Sequence, residues 1–197
     1  NVERNVEKNV EKDMSKNKTV MSELLRSAQI RGIKTSIDVV SEQSERFSLL
    51  IRPTLKYLNY LILNETESGL VAGISPRFPD GRINESNMKK ICTYFMDAGV
   101  SDLAVIHSPE GSYCLDESGK LIFVPAVNLP EGSIKGKVGA GDAFTAGVLY
   151  ALYNGAGNEE AMRLGNGAAA LSLLGGGVMD GMSSANRALA VYEKYNS

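Results

Sequence analysis

The sequence predicts an α/β fold in which a mainly parallel sheet carries helices on both faces. Short apolar runs typical of buried strands alternate along the chain with longer segments of helical spacing. Such alternation builds βαβ units, whose parallel strands are covered on both faces. Several of the apolar runs end in polar residues, namely Asp38, residues 64–67 and residues 107–110. Because ligands of these folds bind beyond the carboxyl ends of strands, these residues are candidates for a functional site.

Length and composition are those of an ordinary globular domain. The chain has 197 residues, of which 43% are hydrophobic and 22% charged, enough to build a core. The net charge of −2 gives no reason to expect nucleic acid or an anionic membrane as a partner. No apolar run approaches membrane-spanning length, and no signal peptide opens the sequence. Cys92 and Cys114 lack metal or redox spacing, so we expect buried or half-buried thiols in a cytoplasmic protein.

Residues 1–17 differ from the rest of the chain. The pattern Asn-Val-Glu-Arg or Asn-Val-Glu-Lys repeats with a period of four, so that like charges recur along one face of any helix. Low complexity and high charge predict a disordered segment or a lone surface helix, without a functional role. The remaining residues, 18–197, are predicted to form the folded region.

Elements in the first half follow from periodicity and turn residues. Residues 20–28 carry apolar side chains at helical spacing, and Gly32 is the predicted end of this helix. The apolar segment 47–58 is interrupted by Pro53, which predicts one short helix or two. The other predicted elements are a strand at 34–40, a loop at 41–44, a strand at 60–63, a short helix after residue 67, and a helix at 83–98 that Gly99 ends.

The second half continues the alternation and adds a hairpin. Two apolar runs flank the turn-rich residues 116–120, which is typical of a β-hairpin. The helix predicted at 159–174 is rich in glycine and alanine, which favours close packing against a neighbour. The elements predicted here are strands at 103–106, 112–115 and 121–124, a loop at 127–137, and helices at 143–153, 159–174 and 183–195, with the break of 175–177 before the last.

The most informative stretch is Gly136–Phe144, a glycine-rich turn that leads into a helix. Glycines let a ligand approach the backbone, and a helix N-terminus offers unpaired N–H groups at the positive end of its dipole. This pattern predicts a phosphate site. Asp142 would repel phosphate, which favours a role as the base that takes a proton from an attacking hydroxyl. The alternative is a helix start with Asp142 as its cap.

A second pattern is Asn64-x-x-Glu67, which follows the predicted strand at 60–63. A carboxylate in the first helical turn after a buried strand suits a Mg²⁺–water cluster on nucleotide phosphates. The alternative is a capping pair, with Asn64 as the N-cap and Glu67 at the third helical position. The pattern alone leaves both interpretations open.

The two patterns together resemble the ribokinase-like (PfkB) carbohydrate kinases. Residues 137–147, KVGAGDAFTAG, are similar to the C-terminal signature of that family, and Asn64-x-x-Glu67 is similar to its upstream Asn-x-x-Glu motif. The resemblance covers the chain from about residue 18 onward, which implies that residues 18–197 form a nucleotide-binding and catalytic region. It also implies that this region transfers the γ-phosphoryl group of ATP to a carbohydrate hydroxyl, with a nucleotide and a small sugar as its ligands.

The resemblance also assigns roles to residues of this chain. Asp142 would be the catalytic base, and Gly139, Ala140 and Gly141 would form the anion hole, with Lys137 beside the phosphates. Glu67 and Asn64 would hold Mg²⁺ through water.

Two further residues are similar to family positions. Asp38 resembles the family's aspartate at a strand end, and Asn166 resembles an asparagine near the adenine. A polar residue packed between helices is an equal interpretation of Asn166.

The chain departs from the family in three places. Gly136-Lys137 replaces the usual Asp-Thr, whose aspartate helps many members to hold an activating monovalent cation. Residues 107–111, beginning with the sole histidine, His107, replace the usual Thr-x-Gly turn, and we expect a structural or ligand-edge role for this histidine. The family's N-terminal strands, Gly-Gly motif, sugar-binding residues and lid have no match here.

These departures leave alternatives open. One is an inactive nucleotide-binding or regulatory module derived from the family. Another is a Rossmann-like dinucleotide binder, which is disfavoured because the chain lacks a Gly-x-Gly-x-x-Gly turn after an early strand. An exposed sheet edge and apolar face would also favour association with a second copy as a homodimer.

Overall fold

The computed structural model describes residues 18–39, 45–177 and 179–196. The interpretation of residues 1–17 and the loop predicted at 41–44 therefore lie outside the described residues. Seven α-helices and five strands occur in the described ranges. The helices are α1 (Val20–Ile30), α2 (Glu45–Ile51), α3 (Glu65–Ala72), α4 (Glu85–Asp97), α5 (Ala140–Tyr153), α6 (Asn158–Leu174) and α7 (Ala185–Asn196). The strands are β1 (Ser36–Ile37), β2 (Tyr60–Asn64), β3 (Leu103–Ser108), β4 (Gly111–Asp116) and β5 (Leu121–Pro125).

The five strands form one mainly parallel sheet in the order β1-β2-β3-β4-β5, which confirms the predicted α/β fold. β1 pairs with β2 in parallel, with Ser36 opposite Tyr60 and Ile37 opposite Leu61. The middle of β2 and the first four residues of β3 are buried without interruption. Continuous apolar burial of this kind is expected for strands that are covered on both faces.

Contacts divide the chain into two compact units. The first contains the described residues up to Val105 together with Leu115–Lys120. Its core includes side chains from the 3₁₀ turn Arg52–Tyr57, from β2 and from α4, among them Leu55, Leu61 and Ile91. Pro53 lies at the start of that 3₁₀ turn, where its missing N–H costs no hydrogen bond. The prediction of an apolar segment broken at Pro53 is therefore confirmed.

The second unit contains Ile106–Cys114 and the described residues from Leu121 onward. Its helices α5, α6 and α7 pack in sequence order. At one point α5 and α6 are so close that a Cβ on Gly147 would lie 2.9 Å from the Cα of Gly165. The predicted close packing of the small-residue helix is confirmed, because no larger residue fits at this crossing.

Three elements differ most from the sequence prediction. The short helix predicted after residue 67 is α3, which begins at Glu65. The strand predicted at 34–40 is restricted to Ser36–Ile37. The helix predicted from residue 143 begins at Ala140, because Gly139 adopts a left-handed conformation (φ 86°) that turns the chain directly into the helix. The residues that extend the helix are alanine, glycine and aspartate, which carry no apolar periodicity.

The two cysteines and the length of the helices were the features that composition addressed. Cys92 and Cys114 are buried thiols, as predicted. Among the described residues, the helices are all too short or too polar to cross a bilayer.

Candidate functional site

The turn at the start of α5 presents backbone donors without partners. Gly139 is the N-cap and, having no side chain, forms no capping hydrogen bond. The N–H of Ala143 donates to the carbonyl of Gly139 (2.9 Å), whereas the N–H groups of Gly141 and Asp142 donate to no described residue. A helix N-terminus with unpaired N–H groups has the geometry and the dipole direction that an anion requires.

Asp142 lies in the first turn of α5, at the third helical position. Because Gly139 is the N-cap, the alternative in which Asp142 caps the helix does not hold. The carboxylate is exposed, and among the described residues it forms neither a hydrogen bond nor an ion pair. A carboxylate in a first turn still favours the helix dipole. It is also accessible to a ligand held by the neighbouring N–H groups.

The segment before the turn is tied to the end of α6. The N–H of Lys135 donates to the carbonyl of Leu173 (2.9 Å), and Gly136 lies close to the carbonyls that follow α6. The side chain of Lys137 is exposed. The backbone carbonyl of Lys137 accepts a long hydrogen bond from the N–H of Ala140 (3.5 Å). The ammonium of Lys137 is therefore two residues before the N-cap on a segment whose backbone is anchored.

His107 lies against the same turn. Its ring centroid is 4.8 Å from that of Phe144, with the rings tilted by 35°. Burial lowers the pKa of His107 from 6.5 to about 4, so the imidazole is neutral at pH 7. Sequence reasoning gave this residue a structural or ligand-edge role but missed its contact with the turn. The available signal was that the sole histidine stands at the end of a buried strand.

Asn166 is a buried polar residue of α6, with 7% of its surface exposed. Its Nδ2 donates to the Ser112 hydroxyl (3.2 Å) and to the carbonyls of Val124 (3.3 Å) and Pro125 (3.0 Å). The side chain therefore ties α6 to β4 and β5. This arrangement resembles the packed polar residue of the alternative interpretation, although its partners are strands rather than helices. Contact with a nucleotide stays a prediction.

Asn64 and Glu67 belong to the first unit and form a complete capping box at the start of α3. The N–H of Glu67 donates to the Asn64 Oδ1 (2.9 Å), and the N–H of Asn64 donates to the Glu67 Oε2 (3.1 Å). Glu67 is buried, with 6% of its surface exposed. The neighbouring Glu65 is paired with Arg77 (3.0 Å). The capping alternative thus describes the local structure, and a role in binding Mg²⁺ stays a prediction.

No group of three or more histidine, cysteine or acidic side chains in the described residues is arranged to hold a metal ion directly. Asp38 directly follows β1, as the sequence suggested, and its Oδ1 accepts the N–H of Val39 (2.8 Å). The predicted site residues fall into two sets. One set lies in the second unit, at the start of α5 and at Asn166 of α6, and the other lies in the first unit, at the start of α3.

Comparison with known families identifies the chain. Residues 11–185 match the family model described as pfkB family carbohydrate kinase. The chain belongs to the pfkB family of carbohydrate kinases. The matched residues include the glycine turn, Asp142 and the Asn64–Glu67 pair, so the family resemblance predicted from these motifs is confirmed. The alternative of a Rossmann-like dinucleotide binder is set aside.

Solved structures of similar fold include several kinases. One is Arabidopsis thaliana ribokinase complexed with ribose and ATP, with 20% identity, a TM-score of 0.72, and 88% of this pfkB-family chain aligned to 52% of that one. A second is phosphofructokinase-2 from Escherichia coli in complex with potassium (20% identity, TM-score 0.70, 90% of this chain and 52% of that one). A third is a putative sugar kinase from Clostridium perfringens (20% identity, TM-score 0.71, 90% of this chain and 52% of that one). The chain spans about half the length of these proteins.

Proposed function

We propose that this chain is the nucleotide-binding and catalytic part of a cytoplasmic sugar kinase, which transfers the γ-phosphoryl group of ATP to a carbohydrate hydroxyl. The observation that supports this proposal is the start of α5. There, the N–H groups of Gly141 and Asp142 and the carboxylate of Asp142, all without a hydrogen-bond partner in the part of the chain that the structure describes, occur within one helical turn. N–H groups that bind phosphate and a carboxylate that accepts a proton are needed together in phosphoryl transfer and in few other roles.

In the proposed reaction, the acceptor hydroxyl attacks the γ-phosphorus while Asp142 takes the hydroxyl proton. A new oxygen–phosphorus bond forms, the bond from the γ-phosphorus to the bridging oxygen breaks, and ADP leaves with that electron pair. The N–H groups at the start of α5 stabilise the charge on the transferring group. The Lys137 ammonium, on its exposed side chain, adds positive charge beside the same phosphates.

Mg²⁺ is the metal that the family implies, and the oxygens of Asn64 and Glu67 are of the chemical type it prefers. Each side chain already accepts a backbone N–H in the capping box. Carboxylate and amide oxygens retain further lone pairs, so these residues fit a role through metal-bound water rather than direct ligation. When bound, the ion neutralises charge on the nucleotide phosphates.

A second candidate is a nucleotide-binding or regulatory module without catalytic activity. It is favoured by the departure at Gly136-Lys137, where the family usually has Asp-Thr. Both candidates require ATP to bind at the start of α5. They differ in whether Asp142 acts as a base.

Binding of ATP at this turn can be tested by introducing a second carboxylate. Gly141→Asp places negative charge at the second position of α5, where a Cβ would meet the His107 ring at an ordinary distance of 3.5 Å. Because a carboxylate in a first turn suits the helix dipole, the fold should be retained while phosphate is repelled. We expect calorimetry to show ATP affinity at least about tenfold weaker than that of the unmodified chain.

Asn186→Asp is the matched control, because Asn186 is exposed and holds the second position of α7 in the same unit. This variant should bind ATP within about twofold of the unmodified chain. Equal weakening in both variants would point to a general charge effect. Unchanged affinity in Gly141→Asp would place the nucleotide away from α5 and contradict the proposal.

A further inference from the structure

The imidazole of His107 lies next to the start of α5. Two residues that flank Asp142 in the sequence, Gly141 and Phe144, face this ring. A Cβ built on Gly141 would lie 3.5 Å from the ring Cε1 and 3.9 Å from Nε2, which are van der Waals distances. On the other side, the ring stacks against Phe144 at 4.8 Å between centroids. The end of β3, where His107 lies, therefore packs against Phe144 and faces the backbone of Gly141.

Phe144, the second of these contacts, is itself held in place. Its side chain is fully buried, and a Cβ on Gly165 of α6 would lie 2.9 Å from two of its ring carbons. Phe144 thus fills the space between His107 and α6. Protein interiors packed at this density leave little room for movement. Because α6 fixes one side of the Phe144 ring, the contact on its other side, with His107, is fixed as well.

Other restraints on the turn are weak. The N-cap Gly139 supplies no side-chain hydrogen bond, and the hydrogen bond from Ala140 to Lys137 is long at 3.5 Å. The strong backbone anchor, at Lys135, precedes the turn. A glycine-rich turn with few restraints samples many conformations unless packing selects one. Among the described residues, the His107 ring supplies the side-chain atoms found within 4 Å of the place that a Cβ on Gly141 would occupy, so the ring faces this part of the turn.

The imidazole acts at this place through its shape. Burial keeps its pKa near 4, so the ring carries no charge at neutral pH and adds none to a bound phosphate. A buried neutral ring between a strand end and a helix start is a rigid contact with two rotatable bonds. Its effect on a ligand is therefore indirect, through the backbone that it supports.

We propose that His107 is a positioning residue, whose ring holds the Gly139–Asp142 turn so that its N–H groups point to the phosphate and the Asp142 carboxylate points to the hydroxyl that attacks it. The identity of that ligand rests on the proposed function. The role is specific to this chain's sequence, because it depends on an aromatic ring at residue 107 facing a glycine at 141.

Hydrogen exchange measured by mass spectrometry tests the positioning without any ligand. In His107→Ala, the segment 138–144 should exchange faster than in the unmodified chain, with an increase of at least about tenfold at the amide of Ala143, whose N–H donates to the carbonyl of Gly139. His107→Phe keeps an aromatic ring against Gly141 and should restore exchange to within about twofold. Tyr113→Ala is the matched control, because the buried Tyr113 forms a similar tilted ring pair with the exposed Phe123 (4.6 Å) in the same unit. It should leave the exchange of 138–144 unchanged.

A second measurement uses the fact that the chain has one histidine. With histidine labelled by ¹⁵N and ¹³C, addition of ATP and MgCl₂ should shift the imidazole resonances. The shift should saturate at the concentration that calorimetry gives for ATP binding.

The two measurements separate the inference from the proposed function. Exchange of residues 138–144 that stays unchanged in His107→Ala, or that rises equally in Tyr113→Ala, would overturn the positioning role. ATP binding without any movement of the imidazole signals would also overturn it. Absence of ATP binding, together with selective exchange in His107→Ala and rescue by His107→Phe, would support the positioning of the turn and contradict the proposed function.

Discussion

Lys137 is the residue at which this chain departs most clearly from the family pattern. Its exposed side chain stands two residues before the N-cap of α5, and glycine precedes it where the family usually has the cation-binding aspartate. An ammonium at this place can supply charge that a bound monovalent cation supplies elsewhere. The departure was readable from the sequence, since it lies inside a motif of fixed spacing.

We therefore expect a longer protein that contains this chain and an acceptor-binding half to show little cation dependence. Turnover should differ by less than about threefold between potassium and tetramethylammonium at equal ionic strength, because Lys137 provides the charge. Lys137→Ala should lower turnover about tenfold, whereas Lys135→Ala, at another exposed lysine of the same segment, should not. Strong activation by potassium in the unmodified protein would contradict this role of Lys137.

Asn166 connects elements that are far apart in the sequence. Its amide in α6 donates to Ser112 of β4 and to carbonyls of β5. Removing the amide leaves the buried hydroxyl of Ser112 and the buried carbonyl of Val124 without this donor, which lowers the free energy of unfolding.

Asn166→Ala should lower the free energy of unfolding by about 1–3 kcal/mol, as measured by urea denaturation. Asn186→Ala, at an exposed asparagine of the neighbouring helix α7, should change it by less than about 0.5 kcal/mol. If Asn166→Ala weakened ATP binding with no loss of stability, the residue would be a nucleotide contact and the structural interpretation would be wrong.

At the level of elements, sequence reasoning succeeded where the signal was local. β2 is a continuous apolar run followed by Asn64, and both its type and its end were predicted within one residue. The start of α5 was placed three residues late, because it depends on the positive φ of Gly139 and not on apolar spacing. The packing of His107 against Phe144, with its ring facing Gly141, joins residues far apart in the chain, and no local pattern encodes such a pairing.

At the level of the whole molecule, the first unit leaves several apolar side chains in contact with solvent. Val20, Leu24 and Ile30 of α1 have exposed fractions of 84%, 63% and 68%, and Ile33 follows at 56%. Clustered exposed apolar residues of this kind are typical of surfaces that pack against another part of a protein or a partner. Such a surface favours association when the chain is studied alone.

The 197-residue chain alone should therefore bind ATP weakly and be marginally stable or associated with a second copy. Sedimentation velocity should show dimers or larger species that dissociate on dilution. A coupled ADP-release assay against pentoses, hexoses and nucleosides should show no turnover above background, because phosphoryl transfer requires the acceptor to be held in line. Robust turnover with any sugar would show that the acceptor site lies within these residues.

The central claim is that the start of α5 binds the phosphates of ATP and that Asp142 is the base. Its most direct test compares Asp142→Asn with the unmodified residue in the longer protein, by steady-state turnover and by ATP calorimetry. We predict that turnover falls by roughly 10²–10⁴ while ATP affinity stays within a few-fold, since the amide keeps the shape but accepts no proton. Turnover equal to that of the unmodified protein would contradict the assignment of Asp142 and, with it, the proposed mechanism.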